Sequence, residues 1–130
     1  MFAQNENDFM KKTVLITGTS SGIGKAAVLE FAAMGWNVIA TQRTLEKETD
    51  FKKLSNVKMY SLDVTNLESI EQVFLQAQKD FGAIDVVVNN AGYGVDGAFE
   101  AMSDEIIEKQ FNTNVFGLMR VTREAIKYMR

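Results

Sequence analysis

The chain has 130 residues, with 14 lysines and arginines against 17 aspartates and glutamates, a net charge of -3, and 46% hydrophobic and 24% charged residues. That balance suits one globular domain with a buried core, and it excludes a disordered chain or the polybasic surface of a nucleic-acid-binding protein. Cysteine and histidine are both absent, which excludes disulfides, thiolate and imidazole chemistry and most transition-metal sites. No metal is expected, and any acid or base must be a carboxylate, a tyrosine or a lysine.

Residues 1–11, opening MFAQNENDFM, have neither the cationic start nor the apolar core of a signal peptide. They are expected to be a flexible N-terminal segment ahead of a single domain over 12–130. No apolar run approaches the roughly 18 residues of a membrane span, so a cytoplasmic protein with no membrane or nucleic-acid partner is expected.

The first strand is predicted at 13–17, TVLIT, and leads into TGTSSGIG at 17–24. A turn alone needs fewer glycines. Gly18 suits positive φ at the strand end, Gly22 allows close approach of a ligand, and Gly24 lets the next helix sit near the sheet. The free amides of that helix's first turn then face an anion such as a pyrophosphate. The spacing is not that of a P-loop, because five residues separate Gly18 from Gly24 and Ala26 follows Lys25 where a hydroxyl would hold magnesium. Nor is it G-x-G-x-x-G; it is a wider variant.

Ile23, Ala27, Phe31 and Met34 form a helical stripe ending at Gly35. A second strand follows at 37–41, NVIAT, then a weakly patterned helix near 44–54. After a third strand at 57–62, VKMYSL, Thr65 and Glu68 are placed for a capping box, and Leu67, Ile70, Phe74, Ala77 and Phe81 form a stripe stopped by Gly82. A fourth strand, 84–89, IDVVVN, precedes a helix from Ser103 to the chain end. Strict alternation of apolar strands and helices implies an α/β fold: a doubly wound parallel sheet with helices on both faces.

Ligands of such sheets lie beyond the carboxyl ends of the strands, so the residues after each strand are the candidates. They are Gly18 to Gly24, Gln42 and Arg43, Asp63 and Val64, and Asn89 to Gly92. On the fourth helix, Ile107, Phe111, Leu118, Ala125 and Met129 follow a three-or-four spacing, and Asn114 falls within it where an apolar residue belongs. A buried amide needs hydrogen-bond partners, so Asn114 is either a structural tie or a functional group. Tyr93, Asp96 and Glu100 fit a solvated loop better than a pocket edge. Lys25 fits a surface position, Tyr60 the core, and Trp36 a helix-to-strand corner.

TGTSSGIG, the pair Asp63 and Val64, NNAG at 89–92 and NTNVFG at 112–117 together resemble the short-chain dehydrogenase/reductase family, in order and spacing over about 12–130. The resemblance implies a Rossmann-like three-layer sandwich, here truncated after the fourth strand and fourth helix. It implies that Gly18, Ser20, Ser21, Gly22, Ile23 and Gly24 cradle a pyrophosphate and that Asp63 and Val64 hold adenine. Asn89, Asn90, Ala91 and Gly92 would line the ribose and nicotinamide side, and Asn114 would be catalytic, holding a water in a proton relay. The implied reaction is hydride transfer between NAD(P)H and a small-molecule carbonyl or alcohol. Where an NAD site typically carries an acidic residue at the second strand's end, this chain has Gln42 and Arg43, so NADP(H) is the expected preference, with NAD(H) possible. The family's serine and Tyr-x-x-x-Lys pair are not in these 130 residues, so the chain reads as the cofactor-binding part of an enzyme, inactive alone. A non-catalytic nucleotide-binding module is the alternative. Homo-oligomers are expected through the fourth helix or the edge of the fourth strand.

Overall fold

The computed structural model describes residues 11–46 and 50–129. The expected flexible segment at 1–11 lies, except for Lys11, outside the described residues. Strands β1 (Thr13–Thr17), β2 (Asn37–Gln42), β3 (Val57–Ser61) and β4 (Val86–Val88) form one parallel sheet in the order β3-β2-β1-β4. Helices α1 (Gly22–Ala33), α2 (Leu67–Phe81), α3 (Asp104–Phe111) and α4 (Leu118–Met129) complete the described fold.

Alternation along the strands builds two cores. Val14, Ile16, Val38 and Ala40 face Val28 of α1 and Phe51, while Leu15 and Ile39 face Ile70, Phe74 and Ala77 of α2 and Val121 and Ala125 of α4. Helices therefore cover both faces of the sheet, giving the expected doubly wound, Rossmann-like sandwich. β1 is buried along its whole length, as a central parallel strand must be.

Several local expectations are corrected. In α1 the buried face is Gly24 and Val28, with Ala27 and Phe31 packed beside it, whereas Ile23 and Met34 are exposed. The α2 cap is Asn66, whose Oδ1 accepts from Ser69 N–H at 3.1 Å, not Thr65. Thr65 is drawn back instead to Asp63, and Leu67 is exposed. Of the helix expected near 44–54, residues 47–49 lie outside the described residues. The described remainder holds a single 3-10 turn, Phe51–Lys53, whose Phe51 plugs the α1 face. β4 is shorter than 84–89 because the Asp85 carboxylate accepts Thr13 N–H at 2.7 Å in place of a ladder bond.

The largest correction concerns the fourth helix. Ser103 does cap it, accepting from Ile106 N–H at 3.3 Å, but a π turn at Asn112–Gly117 separates α3 from α4. One inserted residue rotates everything after it by about 100°, so a stripe drawn at constant period misses the buried face. Phe111, Leu118 and Met129 are exposed, and Val121 and Ala125 are buried. Other expectations stand: Gly35 and Gly82 follow their helices at φ +83°, and Trp36 packs edge-on to Phe31 at 5.1 Å. Tyr60 is half-buried against the α2 core, its phenol donating to Asp80. Lys25 is half-buried and ion-paired with Asp50 at 2.8 Å.

Candidate functional site

A cleft of about 750 Å³ opens beyond the carboxyl ends of β1 and β4, where the strand order turns back on itself. Its base is organised by Thr17, the last residue of β1. The Thr17 hydroxyl donates to Val88 O at 3.5 Å and accepts from the N–H groups of Asn90 (3.1 Å) and Ala91 (3.0 Å). Asn90 completes the tie: its Nδ2 donates to Thr17 O at 3.1 Å and Gly18 O at 3.0 Å. The side-chain amide of Asn90 is thus committed to holding the glycine loop on β4.

The glycine loop is shaped by contact rather than by flexibility alone. Gly18 turns the chain at φ +70°, and a Cβ there would lie 2.8 Å from Ala91 Cα. A Cβ on Gly24 would lie 2.2 Å from Gly18 O and 2.4 Å from Asn90 Nδ2, so only glycine lets α1 start this close to the loop. Gly22, at φ +56°, has open space where a Cβ would be. Thr19, fully buried, donates its N–H to Thr41 O at 3.1 Å, and its hydroxyl reaches Gln42 Oε1 at 3.3 Å, fastening the loop to β2. Gln42 spends its amide Nε2 on Thr44 O at 2.7 Å. Ser21 stands at the N-cap of α1, yet its side chain accepts no bond from the helix, so the first-turn amides are left for a ligand.

The cleft walls gather Gly18, Ser20, Ser21 and Ile23 from the loop, Arg43 from the end of β2, Asp63 and Val64 from the end of β3, and Asn90, Ala91 and Gly92 from the end of β4. Gly22 and Gly24 shape the loop without lining the cleft. Asp63 Oδ1 accepts both the N–H (2.9 Å) and the hydroxyl (2.7 Å) of Thr65, which hold its carboxyl below the ordinary carboxylate range; Arg43 pulls in the same direction. Asn89 stands apart: its Nδ2 donates to Thr122 Oγ1 on α4 at 3.1 Å and it does not line the cleft.

Asn114 is half-buried in the π turn, and its carboxamide grips the backbone of Tyr93 in both directions. Nδ2 donates to Tyr93 O at 2.6 Å and Oδ1 accepts Tyr93 N–H at 3.0 Å. Its side chain is therefore fully used as a tie to the loop after β4. The π turn also redirects the backbone: Leu118 N–H, which would bond Asn114 O in an unbroken helix, bonds Val115 O instead. Gly117 seats the turn on β3's end, since a Cβ there would lie 2.7 Å from Val64 Cγ2.

Sequence reasoning missed several cleft residues. Thr17 was read only as part of a strand, and Tyr93, expected in a solvated loop, lines the wall; Asp96 and Glu100 do not. Lys109, Asn112 and Thr113 also line it. Their i, i+3, i+4 spacing on one helical face was the available signal. Lys109 pairs with Glu105 at 2.7 Å, which raises the pKa of its ammonium.

The short chain dehydrogenase family model matches residues 12–130. An uncharacterized oxidoreductase of Schizosaccharomyces pombe is 44% identical over 119 residues, covering 91% of this chain and 40% of the relative. A 3-ketodihydrosphingosine reductase of Bacteroides thetaiotaomicron is 37% identical over 117 residues, covering 90% of this chain and 42% of the relative. Among solved structures, ElxO with NADP bound superposes with a TM-score of 0.85 at 39% identity, covering 92% of this chain and 51% of that one. The chain thus spans about 40% of the length of these two curated relatives.

Proposed function

The chain belongs to the short chain dehydrogenase family, and on that premise we propose that it forms the cofactor-binding part of an oxidoreductase that transfers hydride between NADP(H) and a small carbonyl or alcohol substrate. The observation that carries this reading is the cleft at the strand-order reversal, with orphaned helix amides at one end and Arg43 beside it. The residues present fit a dinucleotide: the loop of Gly18 to Gly24 offers backbone donors, with open space at Gly22 for a pyrophosphate. Asp63 and Val64 would take the adenine side, and Ala91 and Gly92 the ribose and nicotinamide side. The nicotinamide, when bound, supplies the hydride. Asn114 holds the loop after β4 in place through Tyr93, and its backbone carbonyl, relieved of Leu118 N–H, is suited to accept from a water that passes protons.

Preference for NADP(H) follows from Arg43. No carboxylate stands at the end of β2 to take ribose hydroxyls; buried Gln42 bonds to Thr44 and Thr19 instead. The exposed Arg43 guanidinium is left to pair with a 2′-phosphate. Charge-assisted bonds of this kind contribute about 1.5–3 kcal/mol, so Arg43→Ala should weaken NADPH binding by roughly 10- to 150-fold with little change for NADH. Fluorescence titration of both reduced cofactors tests this, and equal or tighter NADH binding by the unsubstituted protein would overturn it.

Self-association is a further part of the proposal. β4 lies at a sheet edge, and Phe116, Met119 and Ile126 on the π turn and α4 are 50%, 49% and 44% exposed. Unpaired strand edges and apolar helix faces invite a second copy. Light scattering on the 130-residue polypeptide should therefore report a dimer or larger species, and a stable monomer across the concentration range would contradict it. No helix among the described residues is long and apolar enough to cross a membrane.

A further inference from the structure

Arg120, on α4, reaches back across the π turn to Asn112. Its Nη1 donates to Asn112 Oδ1 at 2.9 Å and lies 3.4 Å from Asn112 O. This fixes which way the Asn112 carboxamide faces, because Oδ1 is bound to a permanently charged donor that cannot accept a bond from Nδ2. Asn112 lines the cleft and is half-buried, and among the described residues its Nδ2 has no hydrogen-bond partner. A half-buried amide NH₂ held in one orientation on a cleft wall is a preorganised donor awaiting an acceptor.

We propose that Asn112 is a base-recognition residue of the nucleotide site and that Arg120 is its positioning residue. The inference rests on the function proposed above and assigns the acceptor as a ring nitrogen of adenine. The assignment follows from packing. Gly117 seats the π turn directly on Val64, so the cleft face of Asn112 and Thr113 stands beside the Asp63–Val64 wall that the proposal gives to adenine. Adenine's ring nitrogens are acceptors only, which matches an outward NH₂ and leaves no use for an outward carbonyl. Arg120 cannot serve the base itself, since its Nη1 is engaged on the helix.

The test uses the whole protein, with NADPH and reduced nicotinamide mononucleotide, which lacks the adenosine half, as probes. Asn112→Ala should weaken NADPH about tenfold and leave the mononucleotide's affinity unchanged. Arg120→Met, which frees the carboxamide to turn, should weaken NADPH severalfold in the native background and cause no further loss in Asn112→Ala. Steady-state assays should place the loss in KM for NADPH with kcat held within about twofold, which a merely structural disturbance of the turn would not do. Unchanged NADPH affinity in Asn112→Ala, equal weakening of both probes, or additive losses in the double variant would each overturn the inference. An unsubstituted protein that binds neither probe would instead overturn the proposed function, and this inference with it.

Discussion

Gly24→Ala is expected to cripple the site more than any other single methyl group. The added carbon would sit 2.2 Å from Gly18 O and 2.4 Å from Asn90 Nδ2. The first of these is backbone, and the second is the tie that binds the loop to β4, so neither is a free side-chain tip. Relief requires α1 to retreat or the loop to move. Overpacking of this kind costs about 3 kcal/mol or more, and a shift on the order of 1 Å in a positioned cradle costs about a hundredfold in function. Thermal unfolding should fall by on the order of 10 °C, and NADPH affinity by at least about a hundredfold. Gly22→Ala provides the contrast. Its Cβ meets nothing within 4 Å, so its stability loss is confined to about 1–2 kcal/mol from holding alanine at φ +56°. Equal destabilisation by the two variants would show that the loop does not depend on the Gly18–Gly24 contact.

The same glycines show what was legible in the sequence. A central parallel strand, β1, is a continuous apolar run whatever surrounds it, and a glycine where the following helix meets the loop announces a close backbone approach. Both are local facts with one structural solution. The π turn is different. It is set by Gly117 meeting Val64 across more than fifty residues of chain, and no periodicity computed along one helix contains that contact. The phase error it introduced accounts for Phe111, Leu118 and Met129 at once. Thr65 illustrates a second kind of loss: as an N-cap candidate it was sound, but Asp63 offers it two acceptor bonds and Asn66 takes the cap. Competition between equally good local partners is resolved by where β3 ends, which the pattern of α2 does not record. Asn114 was found by its polarity within an apolar stripe; the stripe itself was wrong, while the inference that its amide must be paired was right.

The 130 residues alone are expected to bind NADPH yet to reduce carbonyl compounds at least about 10²- to 10⁴-fold more slowly than an enzyme with a positioned general acid. Reduction of a ketone leaves an alkoxide that must take a proton as it forms. With no histidine or cysteine, the donor would have to be a tyrosine, lysine or carboxylic acid. Tyr60 is spent on Asp80, where burial first and the carboxylate second push its pKa up. Tyr128 is stacked on Phe74 in the core, with ring centroids 5.5 Å apart. Asp63 stays ionised because Thr65 binds its carboxylate, and Lys109 is held as an ammonium by Glu105. Tyr93 alone brings a phenol to the cleft wall, and its backbone is the part that the site grips. Following the absorbance of NADPH against a panel of ketones and aldehydes should show no consumption above the protein-free rate. Turnover that survives purification, is lost in Tyr93→Phe and leaves NADPH affinity untouched would establish Tyr93 as the proton donor and overturn this expectation.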